Sequence, residues 1–112
     1  MGALSKGDIV VLPFPFSDLS QTKPRPALVL AVPKPDEIIV CQITSQDSRS
    51  EYAIPITDSD FATGTLEKDL CFVRPNFVFL VDPKIVTRLI GTLKPEKLKE
   101  VIEATVDIIR NK

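Results

Sequence analysis

The sequence predicts a mainly β fold, a compact antiparallel barrel of five or six short strands with one C-terminal helix. Three observations carry that reading. Short runs of aliphatic and β-branched residues recur along the chain, and such residues suit a pleated, half-buried surface. Ten prolines are spread between the runs and punctuate them before any grows long. Helical spacing of apolar residues is clear only in the last segment. At 112 residues and 44% hydrophobic, the chain is read as one domain, residues 1–112, able to bury a core without staples. It has no repeat, linker or low-complexity segment.

Each element follows from local residues. Lys6-Gly7-Asp8 is a tight polar turn. Ile9-Val10-Val11-Leu12 is a buried strand that Pro13 and Pro15 should stop, because proline donates nothing to a ladder. Ser17 to Lys23 is a polar loop, long for a hairpin connection, and loops of that kind often carry function. Pro24-Arg25-Pro26 then delivers the chain into a second strand, about 26–32. Each proline fixes its own φ and pushes the preceding residue toward extended geometry, so Arg25 starts from a restricted backbone. Pro33 to Asp36 is a turn, residues 37–43 a third strand, and Thr44 to Ser50 a polar loop. Residues 52–56 form a fourth strand, at an edge because of Pro55. Asp58 to Gly64 is a helical turn and loop. Leu70 to Arg74 is a fifth strand broken by Pro75-Asn76, with Phe77 to Val81 beyond it. Ile85 to Leu93 gives one more short strand or turn-strand ending at Gly91.

The last segment is the clearest helix. Leu98, Val101, Ile102, Thr105, Ile108 and Ile109 make one apolar stripe, expected to pack on the core. Pro95 fits the first helical position and Glu96 the first turn. Lys94 is a poor N-cap.

Composition narrows the chemistry. The net charge of −1 argues against bulk electrostatic attraction to nucleic acid, so any such binding rests on a local patch. There is no histidine, which excludes imidazole acid–base catalysis and the common zinc hydrolase sites. Cys41 and Cys71 have no metal-ligand spacing and are expected as buried, reduced thiols. No metal and no cofactor is expected. With no apolar run of membrane-spanning length and no signal-peptide pattern, the chain is expected in the cytoplasm and off the membrane.

The stretch GDIVVLPFPFSDLSQTKPRPALVL resembles the opening of the MazF/PemK-type toxin endoribonucleases: a strand, an aromatic-proline loop, and Arg-Pro entering the second strand. The likeness continues in order at Cys41-Gln42-Ile43-Thr44-Ser45-Gln46, at Val73-Arg74-Pro75-Asn76 and at Ile90-Gly91-Thr92-Leu93, and so covers nearly the whole chain. The resemblance implies an SH3-like barrel of the MazF/CcdB kind, usually a homodimer. It implies the toxin of a type II toxin–antitoxin system that cleaves single-stranded RNA without metal, leaving 2′,3′-cyclic phosphate and 5′-OH ends. It also implies a cognate antitoxin as partner, with DNA reached only through that antitoxin.

Metal-free cleavage of RNA requires a base for the 2′-OH, cations for the charge that develops on the phosphate, and a donor to the leaving oxygen. Guanidinium suits the second task, being planar, always charged and bidentate to phosphate. With a pKa above about 12 it serves as an electrostatic stabiliser rather than a base. In the family the Arg of Arg-Pro and the Thr of Ile-Thr-Ser are regarded as catalytic; they fall on Arg25 and Thr44. Arg74 matches the arginine of a later Arg-x-Asp pair. The catalytic expectation is therefore Arg25, Thr44 and Arg74; if the strands that carry Arg25 and Thr44 are neighbours and antiparallel, those two residues meet at one end of the barrel.

RNA binding is expected from Phe16, Ser17, Asp18, Lys23, Ser45, Gln46, Arg49, Lys68 and Asn76. An exposed Phe16 would stack on a base, at about 1–3 kcal/mol per base. Phe14 and Phe16 are otherwise both expected in core or dimer packing. Lys23, Arg25, Arg49, Lys68 and Arg74 would form the local positive patch. The chain departs from the family at Asn76, which stands in the acidic position and is no base, and at Cys71, where many relatives have Ser. A non-catalytic relative that binds RNA, antitoxin or a gyrase-like target is the alternative. The gyrase poisons rely on a Trp-containing C-terminal end, and this chain has no tryptophan. That count also leaves a thin aromatic supply for an SH3-type proline groove.

Overall fold

The structure is a computed structural model that describes residues 3–15, 22–45, 51–66, 68 and 70–112. Its elements are β1 (Asp8–Pro15), β2 (Thr22–Lys34), β3 (Glu37–Thr44), β4 (Ile54–Ile56), β5 (Phe61–Gly64), β6 (Cys71–Val81), β7 (Arg88–Leu93) and α1 (Pro95–Asn111). The strands form one antiparallel sheet in the order β4-β6-β3-β2-β1-β7-β5. Ile56 from one edge and Phe61 from the other meet in the same buried cluster, so the sheet curls into a half-barrel. α1 closes it by placing Val101 in that cluster, with Leu98, Ile102 and Ala104 packed around it.

A second cluster fills the opposite face of the central strands, with Val10, Leu12 and Phe14 of β1, Ala27 and Val29 of β2, and Ile38 and Val40 of β3. Two-sided burial explains why β1 to β3 read as nearly unbroken apolar runs rather than alternating ones. Phe14 belongs to this core, its ring 5.0 Å from that of Phe79.

The prolines do not stop the strands where the sequence suggests. β1 runs through Pro13 to Pro15, and β2 begins at Thr22 and passes through Pro24 and Pro26. The reason lies in register. Val11 pairs with Pro26, Pro13 with Pro24 and Pro15 with Thr22. The Val11 carbonyl accepts from Thr87 N–H at 2.8 Å, so it faces β7 and not β2. By alternation, Pro13, Pro15, Pro24 and Pro26 sit at sites where the β1–β2 ladder uses no N–H. On their other sides, Pro13 and Pro15 lie beyond the last β1–β7 pair, and Pro24 and Pro26 precede the first β2–β3 pair. No ladder bond is lost.

Three further expectations are corrected. Pro75-Asn76 does not break a strand: β6 is continuous from Cys71 to Val81. Val73 pairs with Ile43 and Val78 with Cys41, so Arg74, Pro75, Asn76 and Phe77 all face Gln42 in a wide bulge that absorbs the proline. After a 3-10 turn at Asp58–Asp60, the chain enters the edge strand β5 rather than a loop. Ile85 closes a 3-10 turn, leaving β7 to start at Arg88. The short β4 does lie at an edge, with Pro55 exposed.

β5 approaches β7 closely at Gly64 and Gly91, which pair directly. Gly64 has φ +78°, and a Cβ there would collide with the Ile90 carbonyl oxygen; one on Gly91 would collide with the Thr63 carbonyl oxygen. Only glycine suits both positions. The helix begins as expected at Lys94, which gives no side-chain cap. Its stripe turns out narrower: Val101 and Thr105 are buried, but Ile109 is 77% exposed.

Candidate functional site

The antiparallel β2–β3 register pairs Ala27 with Gln42 and Leu28 with Cys41. Two more steps place Arg25 opposite Thr44, both half-buried at the same end of the sheet. Arg25 is not at the mouth of its strand: it pairs with Leu12 inside the β1–β2 ladder. Thr44 in turn pairs with Phe72 of β6. Since cross-strand partners and alternate residues share a face, Arg25, Thr44 and Gln42 lie on one face. Arg74 joins them, its Nη1 donating to Gln42 Oε1 at 2.9 Å. The three residues expected to be catalytic thus come from three adjacent strands, β2, β3 and β6, and Arg74 is tied to β3 through Gln42.

A cleft of about 220 Å³ opens beside Arg25. Its walls are apolar, with Val11, Pro24, Pro26, Ile43 and Cys71 on the curled inner side, and its polar lining is Arg25, Ser45, Lys68 and Arg88. No carboxylate lines it among the described residues. Arg25 has opposite strand parity to its two prolines, so it stands at the boundary between this cleft and the face bearing Thr44 and Arg74. An apolar floor with three cations and a hydroxyl at its rim suits an anionic ligand with flat apolar parts, as a nucleotide chain has.

The Arg74 guanidinium carbon lies 4.8 Å from the centre of the Phe77 ring, and that ring is 4.8 Å from Phe79. The Nε of Arg74 is buried and has no hydrogen-bond partner among the described residues. Asn76, in the same bulge, is exposed.

Of the residues expected to bind RNA, Ser45 and Lys68 are exposed and line the cleft. Lys23 is exposed on β2 opposite Phe14. Phe16, Ser17, Asp18, Gln46 and Arg49 lie outside the described residues. Sequence reasoning missed Arg88 and Gln42. Arg88 pairs with Val11 at the start of β7 and is the third cation of the cleft. Gln42 had a readable signal, since it alternates with Thr44 on an otherwise apolar strand.

Both cysteines are buried, free thiols. Burial pushes the Cys41 thiol up to about 12. It also raises that of Cys71, against a smaller opposing pull from Lys68. Asp8 is buried and structural: it accepts from Ser5 N–H at 2.8 Å and from the Thr92 hydroxyl at 2.9 Å, tying the first turn to β7. Among the described residues, no three His, Cys, Asp or Glu side chains gather as metal ligands would, and no helix is long and apolar enough to cross a membrane.

Residues 5–109 match the PemK-like, MazF-like toxins of type II toxin–antitoxin systems. The chain belongs to that family. No curated protein matches it in sequence. Solved structures share its fold at low identity. An endoribonuclease in complex with its cognate antitoxin, from a mycobacterial species, superposes with a TM-score of 0.72 at 13% identity, over 98% of each chain. A second mycobacterial endoribonuclease gives 0.65 at 14% identity, over 96% of this chain and 91% of the other. The Mycobacterium tuberculosis toxin MazF-mt6 gives 0.61 at 16% identity, over 88% of this chain and 93% of the other. At such identities the superpositions establish the MazF fold alone.

Proposed function

We propose that this MazF-like toxin is an endoribonuclease that cuts single-stranded RNA without metal, leaving 2′,3′-cyclic phosphate and 5′-OH ends. The observation that supports the reading is the cleft beside Arg25, whose polar lining is three cations, Arg25, Lys68 and Arg88, with the Ser45 hydroxyl. The 2′-OH attacks the adjacent phosphorus in line, its proton passing to water; the P–O5′ bond breaks as the P–O2′ bond forms, and the leaving 5′-oxygen takes a proton from water to give the 5′-OH. The guanidinium of Arg25 stabilises the charge growing on the non-bridging oxygens, a term worth most where donors are fixed in advance. Thr44 supplies a hydroxyl to the same group. Arg74 holds a neighbouring phosphate, and Ser45, Lys68 and Arg88 guide the strand along the cleft. The apolar walls take bases by stacking and burial.

The toxin acts as a homodimer, and a cognate antitoxin restrains it by occupying the RNA groove. The solved relative bound to its antitoxin supports that partnership. A second reading, a relative that binds RNA or antitoxin without cutting, draws on one observation: an exposed Asn76 stands where the family's acid would be. The deciding experiment incubates purified protein and Arg25→Ala with a long single-stranded RNA. Discrete cuts by the wild type alone support the nuclease. An uncut RNA with folded protein moves the reading to binding, and Asn76→Asp is then the first reversion to assay.

A further inference from the structure

Arg74 is held in an unusual way for a half-buried arginine. Among the described residues its one side-chain hydrogen-bond partner is Gln42, through Nη1 to Oε1 at 2.9 Å. Because arginine only donates, the amide must turn its oxygen to the guanidinium. Phe77 stacks at 4.8 Å on the guanidinium carbon. Among the described residues, Nε stays buried and unbonded, and Arg74 makes no ion pair. A purely structural arginine in this setting would be matched by a carboxylate, which satisfies the donors and cancels the charge. Here a neutral amide and a ring fix the orientation and cancel nothing. The four-residue bulge opposite Gln42 sets this up, since it lets Arg74 and Phe77 face the same residue.

We infer that Gln42 is a positioning residue that aims Arg74 at an RNA phosphate without itself compensating the guanidinium charge. The identity of the anion rests on the nuclease reading; the arrangement of Gln42, Phe77 and Arg74 does not. A carboxylate at position 42 would hold the arginine as well or better, but would spend its charge inside the protein. Stability and function therefore respond in opposite directions to one isosteric change, which a merely structural role for Gln42 does not produce.

The test compares wild type, Gln42→Glu and Gln42→Met. The probe is a single-stranded 2′-deoxy oligonucleotide, which no 2′-OH mechanism cuts. For Gln42→Glu, melting temperature should hold or rise. Affinity for the oligonucleotide should fall about tenfold, and the salt dependence of binding should lose about one counterion. Gln42→Met, which keeps volume and removes the acceptor, should bind with a salt slope like that of the wild type but with a lower kcat on RNA. In wild type, the Arg74 Nε–H resonance should shift on adding the oligonucleotide. Equal affinity of wild type and Gln42→Glu, or an Nε–H signal that the oligonucleotide does not move, overturns the inference. A wild type that shows these binding differences but cuts no RNA overturns the nuclease reading and leaves the role of Gln42 standing.

Discussion

Arg25 pairs with Leu12 inside the β1–β2 ladder, flanked by two prolines whose missing N–H groups the ladder does not need. Its backbone is thus fixed by the flanking prolines and the ladder. Arg25→Ala is expected to lose at least about 100-fold in cleavage, in line with removal of a fixed charge-stabilising donor. It should cost less than about 1 kcal/mol in stability. Parallel cleavage assays and thermal melts check both. A large fall in melting temperature would make Arg25 a structural residue.

Arg88 stands apart from Arg25 in sequence but lines the same cleft. Arg88→Ala should weaken RNA binding and reduce the salt slope by about one, with kcat little changed. Titrations at several salt concentrations decide this. An unchanged slope would remove Arg88 from the RNA path.

Gly91 lies against the Thr63 carbonyl, and its partner Gly64 has a positive φ. Gly91→Ala should push β5 off β7 and cost about 1–3 kcal/mol, the range for overpacking. Denaturant melts of the variant measure it. A neutral result would mean that the β5 edge yields without loss.

The Cys41 thiol, at about 12, stays neutral in the folded state where an exposed thiol near 9 would ionise. The unfolded chain then binds fewer protons than the folded one, so stability falls as pH rises from 9 toward 12. The slope is at most about 1.4 kcal/mol per pH unit. Cys41→Ala should flatten that alkaline limb. The same burial predicts slow alkylation of the native thiols at neutral pH, measurable by mass spectrometry with iodoacetamide.

Much of this was legible in the sequence for a physical reason: strand cores and the terminal helix are written in local periodicity. The MazF-like order of Arg-Pro, Ile-Thr-Ser and Val-Arg-Pro also placed Arg25, Thr44 and Arg74 on strands that do become neighbours. What was not legible depends on register. Whether Pro13, Pro24 or Pro75 ends a strand turns on which side of the ladder its nitrogen faces, and that is set by a partner strand far away in sequence. Arg88 enters the cleft only because β7 pairs with β1, and Gln42 meets Arg74 only because the bulge in β6 puts them opposite. Ile109 fits the apolar stripe by spacing, yet lies one turn beyond the part of α1 that the sheet covers.

The most direct test of the central claim is end-group analysis of RNA fragments made by the purified wild type in EDTA. The account predicts undiminished cleavage, with 2′,3′-cyclic phosphate on one side of each cut and 5′-OH on the other. Cleavage that needs added Mg²⁺, or fragments that end in 3′-OH and 5′-phosphate, would contradict it.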